Sequence, residues 1–269
     1  MRALRMTSLA AAVAALAMLP QLGAAAPQDD AAASTAVAPA PGAISPDARA
    51  ALERMKAYLA RQQSFQVDAD ISRDEVLPYG YKLQHNERTR LIVQRPNRFR
   101  IDVDGDLRHR EYYYDGATLT TVAPDADAYA KFAAPDSVNG VVTKLLDMGA
   151  EMPLVDVLRQ GFGGTLLDGV RVGLIAGQSP VEGVMTDQVL FRQAAVDWQI
   201  WITKEGQPRK MVITTRYEVG DPQYQAVMHW DTTPSVSANT FKFTPSKGMH
   251  EIPFNTTPAV ATTTAGGTP

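Results

Sequence analysis

The stretch from Val189 to Tyr217 restricts the fold more than any other, because it reads as a β-hairpin and as little else. In Val196-Asp197-Trp198-Gln199-Ile200-Trp201-Ile202, strict alternation puts Trp198, Ile200 and Ile202 on one face and Asp197 and Gln199 on the other. The run Lys204-Glu205-Gly206-Gln207-Pro208 reverses the chain. The returning segment places Met211, Ile213 and Tyr217 on one side and Lys210, Thr214 and Arg216 on the other. Trp201 interrupts the polar face, which predicts that a helix, a loop or a ligand covers part of that side. No reactive group stands out here, so the hairpin speaks to architecture rather than to chemistry.

Strand patterns of the same kind fill the surrounding chain. Phe65, Val67, Ala69 and Ile71 alternate with Gln66, Asp68, Asp70 and Ser72. Strands are expected over Tyr81 to Gln94, Phe99 to Val103 and Arg110 to Asp115, with Asp104-Gly105 and Asp115-Gly116 as tight turns. Further strands are expected over Val170 to Ala176, Met185 to Gln193, Tyr224 to Trp230 and Thr240 to Phe243. Ser45 and Pro46 open a helix carrying Ala48, Leu52, Met55 and Leu59 at helical spacing. Two shorter helices interrupt the strands, one capped by Asp136 or Ser137 and running through Leu146 and Met148, the other from Pro153 to near Gly161. The pattern predicts an α+β fold, in which a strongly curved antiparallel sheet of about ten strands has its concave face covered by the N-terminal helix and the inserted helices.

The ends of the chain differ from this domain. Arg2 and Arg5 precede an apolar run from Leu9 to Leu19, then Pro20 and small residues, which predicts a signal peptide over 1–25 cut after Ala25. An Ala- and Pro-rich disordered spacer over 26–44, a single domain over 45–254 and a disordered tail over 255–269 follow. The apolar run from Leu9 to Leu19 is too short to span a bilayer comfortably, and no other stretch approaches the length needed. The chain has no cysteine, so disulfides are excluded and no thiol can carry a lipid; a free periplasmic or secreted protein is expected. Losing Arg2 and Arg5 leaves 24 basic residues against 29 acidic ones, a formal charge of −5, which disfavours nucleic acid as a partner.

Candidate chemistry is sparse. Asp102-Val103-Asp104-Gly105-Asp106 suggests a calcium loop, but Tyr113 stands where that loop needs a glutamate, so a hairpin turn is the better reading. Asp68 and Asp70 lie on a polar strand face and read as solvated carboxylates. His85, His109, His229 and His250 lack metal-ligand spacing, and Gly161-Phe162-Gly163-Gly164 lacks the strand-loop-helix context of a phosphate loop; no metal and no cofactor is expected. Arg95, Arg98 and Arg100, with Arg88 and Arg90, form the densest basic cluster. They read either as solvated residues on a twisted sheet, the favoured reading, or as contacts for anionic lipid headgroups or an acidic partner.

The runs Gln94-Arg95-Pro96-Asn97-Arg98-Phe99-Arg100, Tyr113-Tyr114-Asp115-Gly116-Ala117-Thr118-Leu119 and Phe241-Lys242-Phe243-Thr244-Pro245-Ser246-Lys247-Gly248-Met249 resemble, in order, segments of periplasmic lipoprotein carriers of the LolA and LolB type. Pro153 to Leu158, Val196 to Ile202 and Pro208-Arg209-Lys210 resemble more closely a family of uncharacterised predicted periplasmic proteins, a domain of unknown function related to those carriers. The resemblance implies a LolA-like half-barrel with a helical lid over an apolar cavity for acyl chains. Candidate cavity residues are Phe99, Ile101, Leu146, Leu158, Trp198, Ile200, Met228 and Trp230, with the lid at Asp136 to Leu158. A non-enzymatic binding protein for lipid or lipoprotein acyl chains is therefore expected. The alternatives are an RseB-type regulatory module binding an envelope protein partner, and an unrecognised hydrolase.

Overall fold

The computed structural model describes residues 43–148, 154–159 and 167–254. The expected signal peptide, nearly all of the spacer, the tail, Pro153 and the Gly161 to Gly164 run fall outside the described residues. Helix α1 (Pro46–Arg61) follows N-cap Ser45, whose hydroxyl accepts from the Ala48 amide at 3.2 Å. The antiparallel series β1 (Ser64–Val76), β2 (Lys82–Gln94), β3 (Arg98–Gly105), β4 (His109–Tyr114), β5 (Thr118–Ala123) and β6 (Ala128–Ala133) comes next. Helix α2 (Val138–Asp147) and the single turn α3 (Val155–Leu158) interrupt the strands. A second series follows: β7 (Val172–Val181), β8 (Val184–Arg192), β9 (Val196–Ile202), β10 (Pro208–Thr215), β11 (Gln223–Asp231) and the short β12 (His250–Glu251).

All twelve strands form one curved sheet in the order β12-β6-β5-β4-β3-β2-β1-β11-β10-β9-β8-β7. Two rows of directly opposed side chains run across its helix-covered inner face. Phe65, Val93, Phe99, Tyr114, Leu119 and Phe132 are successive partners from β1 to β6. Ile71, Ala226, Met211, Ile200, Val189 and Ile175 are successive partners from β1 to β7. Such opposed apolar pairs fix register, because a slip of one residue would turn every one of them to solvent. Helix α1 lays Ala48, Ala51, Leu52, Met55 and Leu59 on this face, at the β7–β10 end of the sheet.

Twelve strands replace the ten expected, and the differences have local causes. Strands β5 and β6 are short, and the 3-10 turn Pro124–Ala126 between them offers no Asn-Gly or Asp-Gly signal. Thr240 to Phe243 is not a strand. Ser237 and Thr240 form a capping box that starts a 3-10 turn over Ala238–Phe241, and this turn buries Phe241. The last strand is instead β12, which pairs in parallel with β6. Tyr217 does not continue β10, which ends at Thr215; it is exposed at φ +69°. Ile44, assigned to the spacer, makes a parallel bridge with Gly173 at the start of β7.

Trp201 is 8% exposed on the outer face. Val181 and Val212 pack beside it, the Lys210 ammonium lies 4.9 Å from its ring centre, and its indole N–H donates to Ser179 Oγ at 3.0 Å. Residues near the tip of the β7–β8 hairpin thus supply the cover.

The β9–β10 turn meets α1 without room to spare. At Gly206, φ is +97° and an added Cβ would lie 2.3 Å from the Arg54 carbonyl oxygen. Gly206→Ala is expected to destabilise the fold by about 2–4 kcal/mol, through left-handed strain and a clash with backbone. Urea unfolding of the variant against the native chain measures it.

Candidate functional site

The inner face is largely apolar, with buried Thr89 beside Glu87 on β2 and Asp187 paired to Arg54 of α1 at 2.7 Å, and two elements close it opposite α1. Ser137 caps α2 by accepting from the Gly140 amide at 3.2 Å. The spacing Val138, Val141, Val142, Leu145 then turns one stripe of α2 onto the core, all four at 1% exposure or less. Polar contacts hold α2 and α3 at their ends, and Lys144 within α2 donates to the Ala133 carbonyl at 3.1 Å. The Val138 amide donates to the Pro96 carbonyl at 3.0 Å, and the Tyr114 hydroxyl donates to the Pro135 carbonyl. Burial pushes the Tyr114 hydroxyl up to about 12, which keeps it a donor across the physiological range. At the far end, Leu158 presents its carbonyl to Arg95.

Arg95 is a structural hub rather than a surface cation. Its Nε donates to the Gln62 carbonyl at 3.1 Å and its Nη1 to the Leu158 carbonyl at 3.2 Å, while its guanidinium carbon lies 5.7 Å from the Phe65 ring centre. One side chain therefore ties the end of α1, the β1–β2 pair and α3 together. Burial lowers its pKa, and its Nη2 finds no partner among the described residues.

The other arginines lie on the outer face in short ion pairs. Arg90 meets Asp68 at 2.7 Å, Arg88 meets Asp70 at 3.2 Å, and Arg100 meets Asp102 at 2.8 Å. Arg98 donates to Gln94 Oε1 at 3.3 Å. Asp68 and Asp70 are thus partners of arginines on the next strand. His229 continues the network to Glu182, and Arg209 meets that same carboxylate at 3.3 Å. His109 stands between Asp104 and Asp125, which raise its pKa through hydrogen bonds to both ring nitrogens. Asp104 and Asp106 serve the β3–β4 turn, where the Asp106 carboxylate accepts from the Asn86 amide at 2.7 Å.

Of the eight cavity candidates, seven fall on or beneath the inner face. Phe99 and Ile101 are fully covered, as is Leu158 on the lid, and Ile200, Met228 and Trp198 are buried. Trp230 packs between Tyr58 and Phe65, with ring centres at 5.7 and 5.5 Å, and its indole donates to the Pro208 carbonyl. Leu146 is the exception, 40% exposed on the opposite side of α2. Leu145 occupies the inward position, and the i, i+3, i+4, i+7 series beginning at Val138 was the signal that distinguishes the two. A pocket of about 330 Å³ opens on the outer face, where Val172, Leu174 and Leu190 adjoin the Arg192–Asp197 pair. A second, of about 250 Å³, lies between Tyr113, Lys131 and Phe243.

The sequence matches, over residues 48–255, the family described as predicted periplasmic protein (DUF2092). The chain belongs to this family. Among curated proteins, none matches the sequence of this DUF2092 protein. Among solved structures, LprF from Mycobacterium bovis aligns at a TM-score of 0.47 and 12% identity, covering 75% of this chain and 100% of that one. A LolA superfamily protein from Nitrosomonas europaea aligns at 0.34 and 11% identity, covering 73% and 97%. The Pseudomonas aeruginosa MucA/MucB complex gives 0.39 and 17% identity, with 70% of this chain aligned to 59% of that one. No helix among the described residues of the DUF2092 protein is long and apolar enough to cross a membrane.

The two kinds of arginine should respond differently to substitution. Arg95→Met keeps an aliphatic stem but removes both carbonyl contacts, and is expected to cost about 2–4 kcal/mol and to speed hydrogen exchange in α3. Arg98→Ala and Arg100→Ala should each cost less than about 1 kcal/mol. Urea unfolding with exchange mass spectrometry separates these outcomes.

Proposed function

We propose that this protein is an exported binding protein, rather than a catalyst, that shelters an apolar ligand between the inner face of its sheet and the α2–α3 lid. The ligand class that fits is a lipid or the acyl chains of a lipoprotein. The observation that carries this reading is the apolar stripe Val138, Val141, Val142 and Leu145 of α2, laid on a largely apolar inner face, with polar tethers at Pro96, Pro135 and Arg95 and one from Lys144 to the Ala133 carbonyl. The inward stripe of α2 rests on apolar contacts, which a chain of methylenes can replace without leaving a polar group unsatisfied. Burying each methylene contributes about 0.8 kcal/mol.

The described inner face is packed, so entry of a ligand requires α2 and α3 to lift. Met55, Met211 and Met228 lie in or against the core and can adapt their shape to an inserted chain. The residues proposed to meet the ligand are Phe99, Ile101, Leu158, Trp198, Ile200, Met228 and Trp230, with Leu145 taking the place expected for Leu146. Export with cleavage after Ala25 and without lipidation belongs to the same proposal; the family's description as predicted periplasmic supports the export. A regulatory module docking an acidic partner on the arginine strands draws less support, because Arg88, Arg90 and Arg100 already pair with carboxylates of the same sheet.

Native mass spectrometry of protein purified gently from a bacterial periplasm tests the proposal. Lipid is expected at defined stoichiometry in the native chain and in Leu146→Glu, and should fall about tenfold or more in Leu145→Glu and Leu158→Glu, with circular dichroism reporting whether the sheet remains. A lipid-free native protein, or full retention by a folded Leu145→Glu variant, would overturn the reading.

A further inference from the structure

Strands β1 and β2 continue well past the core. No residue from Ser72 to Asn86 is buried, and none from Ile213 to Gln225. These two stretches lie side by side, since Ser72 opposes Gln225, Arg73 opposes Tyr224, and the Gln223 amide donates to Asp74 at 3.1 Å. The result is a four-stranded tongue, β2-β1-β11-β10, with two hairpin tips at its end. Val219 of one tip lies 3.7 Å from the position of a Cβ on Gly80 of the other.

Both tips expose large apolar side chains. Leu77, Tyr79, Tyr81, Leu83, Tyr217 and Val219 account for six of the large hydrophobic residues exposed among those described. Tyr79 is 99% exposed and Tyr217 77%, and both are held at φ +69°, a backbone conformation that residues with large side chains rarely adopt. Strain that turns an aromatic ring into solvent is a mark of function rather than of packing. From Val76 to Tyr81 there is no charged side chain. Next in line, Lys82 pairs with Asp74 at 3.2 Å and His85 Nε2 lies 2.6 Å from the Glu75 carboxylate.

We infer that this tongue docks on the interfacial region of a phospholipid bilayer. Tyrosine rings favour that zone, where the ring lies among acyl carbons and the hydroxyl among headgroups, with aliphatic side chains reaching deeper. The uncharged Val76–Tyr81 apex suits a headgroup layer, while Glu218 and Asp221 are exposed at the second tip. Two narrow convex tips also present too little surface for a standard protein interface, whereas a bilayer closes around them. The inference stands apart from the lid reading, since it involves neither α2 nor α3.

Flotation on a density gradient tests it, using the exported chain with vesicles of phosphatidylcholine alone and of phosphatidylethanolamine with phosphatidylglycerol. The protein is expected to float with both at physiological salt, and Tyr79→Ser/Tyr217→Ser/Val219→Ser should reduce binding about tenfold or more at unchanged melting temperature. In a Tyr79→Trp variant, the added tryptophan should shift to the blue with vesicles and be quenched by lipids brominated near the headgroup. Leu145→Glu should float normally, which separates this result from failure of the lid reading. Absence of flotation by the native chain, flotation unaffected by the triple substitution, absence of quenching, or association of the tips with protein instead of vesicles would each overturn the inference.

Discussion

The pairing of β1 with β11 holds the two halves of this fold together. Every other antiparallel pair joins strands adjacent in the chain, and so forms at small cost in loop entropy. The β1–β11 ladder instead brings Val67 to Trp230, Ala69 to Met228 and Ile71 to Ala226. Without it there would be two separate meanders, each with one more exposed edge and half of an apolar face. Trp230 strengthens the junction, because Tyr58 of α1 and Phe65 of β1 both pack on its ring. Since the chain has no cysteine, this burial does work that disulfides perform in many exported domains.

The two faces of the sheet divide structure from solubility. On the inner face, apolar rows meet the helices; on the outer face, Arg90, Arg88, Arg100, His229 and Arg209 interleave with carboxylates. Exposed pairs of this kind contribute little stability each. Their arrangement keeps the outer face neutral and wet, while two patches there are covered by the protein itself, Trp201 by the β7–β8 hairpin tip and Tyr113 by Phe243, whose ring centre is 5.5 Å away. Such self-covering consumes surface that would otherwise be open to a partner.

Legibility in the sequence follows the strength of each local signal. The hairpin around Gly206 and the α1 helix were plain because alternation, helical spacing and capping agreed with one another. Strands β5 and β6 escaped because Thr118-Leu119-Thr120-Thr121 and Ala128-Tyr129-Ala130 carry small or polar residues even where Thr120 and Ala128 are buried, so the alternation in hydrophobicity is faint. Phe241 looked like a strand residue because aromatic content and alternation in Phe241-Lys242-Phe243 match a strand, while the turn depends on the Ser237–Thr240 capping box upstream. Within the site, the inner-face residues of β3, β9 and β11 were readable from period-two alternation alone. Arg95 was not, since nothing in a run of alternating arginines shows which one turns inward; that depends on where α1 and α3 end.

The tongue and the lid stand at opposite ends of the same strands. Strand β2 begins at Lys82, behind the tips, and ends at Gln94, beside Arg95 and its contact with Leu158. At about 3.3 Å per residue, its 13 residues separate the two regions by roughly 40 Å. A surface engaging the tips therefore leaves α2 and α3 clear, and a lid movement need not disturb the tips. The link between the ends is the β1–β2 ladder, which is continuous in register from Ser64–Gln94 to Val76–Lys82. Its first half is clamped by the core and its second half is not, so bending at the tongue is absorbed near Ser72 before it reaches Arg95. Attachment at the tips and ligand exchange beneath α2 and α3, both proposals, would then act independently of each other.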